Sequence, residues 1–126
     1  MTGKLTFEGA WRSFYRYPSS GRDNDAMWGR HLLAATQTGG ALHFESVPSS
    51  KSHVVIDVEI SDDGRASGTW REETDPDGYY QGAVYEGTIE LTLAEDGSRF
   101  SGTWYGKGSG GEMNSDVWEL VRDGAE

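Results

Sequence analysis

The stretch Asp63-Gly64-Arg65-Ala66-Ser67-Gly68-Thr69-Trp70 recurs as Asp96-Gly97-Ser98-Arg99-Phe100-Ser101-Gly102-Thr103-Trp104, and both copies close on Ser-Gly-Thr-Trp. An alternating apolar segment precedes each copy: Val54, Ile56, Val58 and Ile60 before the first, then Tyr85, Ile89, Leu91 and Leu93 before the second. Period-two alternation marks strands with one buried face, and an Asp-Gly turn between two such strands marks a hairpin. The repeated unit is therefore a β-hairpin used twice, and it decides the fold. Ala66, Gly68 and Trp70 share one face with the same phase as Phe100, Gly102 and Trp104, while the serines and threonines alternate outward. A glycine two residues before each tryptophan is expected to leave room where the strand bends and to let the indole lie over the gap.

Upstream of the repeat, Phe7, Trp11, Tyr15 and Tyr17 alternate against Glu8, Arg12 and Arg16, which reads as a strand over residues 5–17 with one wet side. Residues 18–25 carry turn chemistry. Residues 26–37 and 41–47 flank Thr38-Gly39-Gly40 and read as a hairpin, with Leu32, Leu42 and Phe44 in the core. A helix over residues 28–36 competes, because Met27, His31 and Ala34 also fall at helical spacing. Downstream, residues 107–115 read as a loop and residues 117–121 as a closing strand. The pattern is all-β: about eight antiparallel strands joined by short turns, the signature of an up-and-down β-barrel of calycin or lipocalin-like architecture. One domain spans residues 1–126, with the barrel over about 5–122 and short frayed ends.

Composition narrows the role. A net charge of −10 opposes binding to nucleic acid by this chain. Cysteine is absent, which removes disulfides, thiolate nucleophiles and cysteine-based metal sites. The first residues lack an apolar signal core and no run reaches membrane-span length, so a cytoplasmic location without membrane partners is expected. Hydrophobic residues make up only 35% of the chain, but five Trp, six Tyr and four Phe concentrate apolar area in large rings.

Those rings are the candidate binding residues. Alternation points Trp11, Tyr15, Trp70, Tyr85, Trp104 and Trp118 inward, where they either fill the barrel or line a ligand cup. Arg22, Tyr79, Tyr80 and Glu72 are placed at its mouth, within loops rich in acids and turn residues. His43 and Glu45 share a strand face and, with Glu72, are the acid–base candidates if the protein is an enzyme. His31, His43 and His53 lack metal-ligand spacing, no calcium loop is complete, and no nucleophile elbow is present, so neither a metal nor a cofactor is assigned.

The run Ser19-Ser20-Gly21-Arg22, the segments 68–74 and 78–87 with Gly78-Tyr79-Tyr80 at their centre, and residues 114–120 resemble the β-rich C-terminal domain of actinobacterial helix-turn-helix regulators of the XRE type. The resemblance implies a sensing module for a small molecule. It carries no DNA-binding role here, because no helix-turn-helix is present among these residues, and Glu86 stands where the family pattern has histidine. Gly9-Ala10-Trp11 is similar to the Gly-x-Trp opening of lipocalins, a likeness of architecture. The expected function is non-enzymatic binding of an apolar or aromatic small molecule. The alternatives are a cofactor-independent cyclase or isomerase and a protein-interaction module, with a homodimer among the possible assemblies.

Overall fold

The two copies of the Asp-Gly turn adopt the same local structure. In the first, the Gly64 amide donates to Ser61 O at 3.0 Å and the Arg65 amide to Asp63 Oδ1 at 3.2 Å; in the second, the Gly97 amide donates to Ala94 O at 2.9 Å and the Ser98 amide to Asp96 Oδ1 at 3.0 Å. Both glycines have positive φ, 84° and 75°, which a side chain rarely tolerates. In a computed structural model, which describes residues 7–19, 25–47, 52–77, 82–107, 111 and 113–123, these turns join the central strands of a closed barrel.

The eight strands follow in chain order: β1 Gly9–Ser19, β2 Asp25–Thr38, β3 Ala41–Ser46, β4 His53–Ile60, β5 Arg65–Glu73, β6 Val84–Leu93, β7 Arg99–Lys107 and β8 Met113–Arg122. Each pairs antiparallel with the next, and β1 pairs with β8 from Trp11↔Arg122 to Tyr15↔Trp118, which closes the sheet. This is the up-and-down barrel expected from the repeat. Among the described residues none is helical, and no helix is long and apolar enough to cross a membrane.

The repeat is also a repeat of register. Trp70 faces Ile56 as Trp104 faces Ile89, Gly68 faces Val58 as Gly102 faces Leu91, and Ala66 faces Ile60 as Phe100 faces Leu93. The glycines serve a purpose other than the expected one. A Cβ on Gly68 would stand 1.9 Å from Asp57 O, and one on Gly102 would stand 1.9 Å from Glu90 O, so both press against the backbone of the preceding strand. The Trp70 indole lies instead over Gly106, where a Cβ would be 2.7 Å from Cζ2. Strand-to-strand approach at these points bends the sheet enough to close around large rings.

The competition at residues 28–36 resolves to strand, as β2 runs unbroken through it. The core residue there is Leu33, fully buried, and not Leu32, which is 38% exposed. Leu33 pairs with Trp11 across the β1–β2 hairpin, and a one-residue change of phase moves a side chain to the other face. The last strand begins at Met113, earlier than the loop over 107–115 suggests. Leu5, at the expected start of the first strand, lies outside the described residues.

Inside the barrel the rings form two layers. At the end closed by the turns 39–40, 61–64 and 94–98, Phe7, Trp11, Phe44 and Phe100 meet with centroids 5.5–6.4 Å apart. The Phe7 amide donates to Gln37 Oε1 at 3.0 Å, and the Arg122 guanidinium lies 4.7 Å from the Trp11 ring, so this end is capped. Above it, Tyr15 and Trp118 approach to 4.5 Å, while Trp70 touches Trp118 at 5.7 Å and Trp104 edge-on at 5.5 Å and 74°.

Candidate functional site

All four interior indoles spend their N–H on the protein. Trp11 Nε1 donates to Phe7 O at 2.7 Å, Trp118 Nε1 to Ser13 Oγ at 2.8 Å, Trp70 Nε1 to Tyr105 O at 3.1 Å and Trp104 Nε1 to Arg16 O at 2.8 Å. The last bond ties β7 to β1 just beyond Tyr15, where the β1–β8 ladder has ended, and Arg16 and Asp116 approach to 4.0 Å across the same seam. Trp11 and Trp118 are therefore part of the packed interior. Trp70 and Trp104 keep 6% and 5% exposure and form the boundary between that interior and the opposite barrel end.

At this second end three titratable side chains meet. Tyr15 comes from β1, and its ring crosses over Gly29 of β2, where a Cβ would stand 2.2 Å from Tyr15 Cζ. Only glycine admits the ring there. Tyr15 stacks on His31 of β2 with centroids 5.6 Å apart and planes 7° apart, and its hydroxyl lies 3.2 Å from His31 Nε2. Glu72, two residues beyond Trp70 on the same face of β5, accepts a hydrogen bond from Tyr15 and places Oε2 3.9 Å from His31 Nε2. One proton arrangement satisfies the set: the imidazole N–H donates to the phenol oxygen and the phenol donates to a carboxyl oxygen of Glu72.

Burial governs the electrostatics of this trio. Desolvation pulls the His31 pKa below its ordinary value and pushes that of Glu72 above it, the Tyr15 hydrogen bond opposing the latter. Both shifts favour the uncharged forms, so His31 and Glu72 are not a stabilising ion pair despite their proximity. Yet 10% of the His31 side chain and 14% of the Glu72 side chain remain accessible, more than for the rings beneath them. Tyr85 of β6, opposite Glu72 in the ladder, and Tyr17 of β1 pack against the same end.

Because Glu72 resists ionisation in the folded state, its cost is absent below the ordinary glutamate pKa of 4.5 and appears as pH rises through the raised folded value. Glu72→Gln is therefore expected to raise the melting temperature at pH 7, with the gain shrinking as pH falls towards 4. Thermal melts of both proteins across that range check this; a lower melting temperature at neutral pH would show that ionised Glu72 stabilises the barrel.

His43 and Glu45 stand elsewhere, on the outside of the barrel. His43 Nδ1 lies 2.6 Å from Asp57 Oδ1 and Nε2 3.0 Å from Glu45 Oε1, while His53 Nε2 lies 3.0 Å from Glu45 Oε2. Donating to the Glu45 and Asp57 carboxylates raises the His43 pKa, and accepting from His43 lowers the Glu45 pKa. His43 and Asp57 also line an open outer groove of about 320 Å³ with Thr36, Thr38, Ser67 and Thr69. Among the described residues no group of three or more His, Asp or Glu side chains is arranged to hold a metal ion.

The structure thus divides the acid–base candidates: Glu72 joins Tyr15 inside the barrel end, and His43 and Glu45 pair with outer-surface partners. Arg22, Tyr79 and Tyr80 lie outside the described residues. His31 was not among the site candidates in the sequence, although its phase with Gly29 and Leu33 on β2 places it inward.

Fold and site together define a closed eight-stranded barrel, packed at one end and carrying a half-buried polar trio among aromatic rings at the other. Comparison with protein families, curated proteins and solved structures returns no match for this chain.

Proposed function

We propose that the protein is a small-molecule-binding barrel whose site is the end bounded by Trp70, Trp104, Tyr15 and Tyr85. The observation that carries this reading is the Tyr15–His31–Glu72 trio. A barrel that needed only to be filled would gain more from apolar side chains at these positions, because a buried carboxyl and imidazole both pay desolvation. Side chains retained at a cost to folding, in reach of solvent and beside ring faces, suit a site that orients a ligand with few polar contacts.

The test is a screen of aromatic alcohols, ketones and amines by intrinsic tryptophan fluorescence and native mass spectrometry. At least one class is expected to give a saturable one-to-one complex that His31→Ala or Tyr15→Phe weakens. No saturable complex from any class would overturn the reading.

The same trio favours a second reading, an isomerase that moves a proton on an apolar carbonyl compound, with neutral His31 as base and the Glu72 carboxyl as acid. It predicts deuterium uptake from heavy water at the α-carbon of a bound ketone. A ketone that binds without exchange removes it.

A further inference from the structure

Taking the proposed binding end as its basis, we infer that the ligand enters that site through the wall of the barrel, at the seam between β1 and β8, with the Trp104 indole as its gate. The β1–β8 ladder stops at Tyr15↔Trp118, although β1 runs on to Ser19 and β8 begins at Met113. The two strands part after that pair. Among the described residues, every other ladder at this end continues until one of its strands stops within one residue of the last pair.

Side chains take the place of the first missing rung. The Asp123 amide donates to Ala10 O at 2.9 Å, and hydrogen-bonded pairs alternate along an antiparallel ladder, so the bonded pairs run through Arg12↔Val121 and Phe14↔Glu119 towards Arg16 and Val117. A continued ladder would have the Val117 amide donate to Arg16 O. That amide donates instead to Asp116 Oδ1 at 2.7 Å, and Arg16 O accepts from Trp104 Nε1 at 2.8 Å. Shielded backbone groups need partners, and here both partners come from outside the ladder. The seam therefore rests unzipped, with no ladder bond to break. What spans it is the indole bond and the approach of Arg16 Nε to Asp116 Oδ2 at 4.0 Å, an ion pair open enough to water to contribute little. Trp104 is also a wall of the proposed site and meets Trp70 edge-on. Turning its ring off Arg16 O opens the barrel wall directly onto Trp70, whereas the end capped by Phe7, Gln37 and Arg122 offers no such route.

Two experiments test the entrance. In heavy water the Trp104 indole N–H is expected to exchange roughly tenfold faster than those of Trp11 and Trp118, because parting of the seam exposes it without unfolding the barrel. A common rate for all three would overturn the inference. The chain has no cysteine, so Arg16→Cys combined with Val117→Cys introduces a single disulfide that closes the seam and is reversed by reduction. Stopped-flow fluorescence then follows N-phenyl-1-naphthylamine, an uncharged apolar probe. Oxidation is expected to slow its association and dissociation together by roughly tenfold while the affinity stays within about threefold, the signature of a gated approach. Trp104→Phe, which keeps a ring and loses the bond to Arg16 O, should raise both rates. Melting curves establish that each variant is folded. Equal rates in the oxidised and reduced protein would overturn the entrance and leave the binding site standing. Lost affinity with unchanged association would also count against it, because the seam would then be part of the site and not its approach. Failure of the probe to bind the parent protein would overturn the binding end itself, and the entrance with it.

Discussion

Trp118→Ala is expected to lower the stability of the barrel by about 3–5 kcal/mol, the usual cost of truncating a fully buried tryptophan. Trp118 is 1% exposed and belongs to the upper ring layer, in contact with Tyr15 and Trp70. Its removal leaves a cavity at the level where strands β1, β5 and β8 all depend on the same indole. It also strips Ser13 Oγ, itself fully buried, of the N–H it accepts at 2.8 Å. An unsatisfied buried hydroxyl adds about 1–3 kcal/mol to the loss. Trp118→Phe keeps most of the volume and loses the hydrogen bond, so its cost should fall well below that of the alanine variant. Urea unfolding of the two variants measures both effects. Equal losses would show that the hydrogen bond, and not the ring, holds this layer.

Gly102→Ala is expected to cost about 3 kcal/mol, at the upper end of the range for overpacking. The added methyl would stand 1.9 Å from Glu90 O and 2.9 Å from Leu91 Cα, both backbone atoms, so relief requires β6 and β7 to move apart. A flexible side chain could turn aside; a ladder cannot without losing hydrogen bonds. Gly68→Ala should behave alike, since its contact with Asp57 O is equally short. Denaturant midpoints well below that of the parent protein are the expected result. Parent-like midpoints in both would show that the strands are not closely apposed at the repeat, and the account of barrel closure would fail with them.

Much of the fold is legible in the sequence because its central hairpin is written twice. Asp-Gly turns, strict alternation in residues 54–60 and 85–93, and the matched Gly-x-Trp phase determine four strands and their register without reference to anything distant. The site is less legible, for a reason that can be traced to Leu32-Leu33. Two adjacent leucines give period-two alternation no way to choose between them, and only the pairing of Leu33 with Trp11 settles the phase. Choosing Leu32 turns His31 outward and dissolves the trio. With Leu33 inward, Gly29, His31 and Ala35 follow it on the same face, and His31 arrives beside Tyr15.

Glu72 is legible as a mouth residue and acid–base candidate, but not as a side chain inside the barrel. The acidic composition of residues 72–77 suggests a solvated loop, whereas the alternation Ala66, Gly68, Trp70 continues one step further and carries Glu72 into the barrel. Composition averaged over a segment loses to the phase of one strand. Ser13 lies in phase between Trp11 and Tyr15 and so points inward, but its partner, an indole that arrives from β8 more than a hundred residues later, carries no local signal.

The central claim is that ligand is received at the Trp70–Trp104 end and not in the packed interior or on the outer wall. Nitrogen-15 labelling reads this directly, because the chain's five tryptophans report from distinct places: Trp11 from the capped end, Trp118 from the buried part of the upper layer, Trp70 and Trp104 from the boundary, and Trp28, 51% exposed, from outside. On titration with a ligand found among the aromatic alcohols, ketones and amines, the indole N–H resonances of Trp70 and Trp104 are predicted to shift saturably while that of Trp11 stays in place. Saturable shifts confined to Trp28, or perturbation of Trp11 with none at Trp70 and Trp104, would contradict the account.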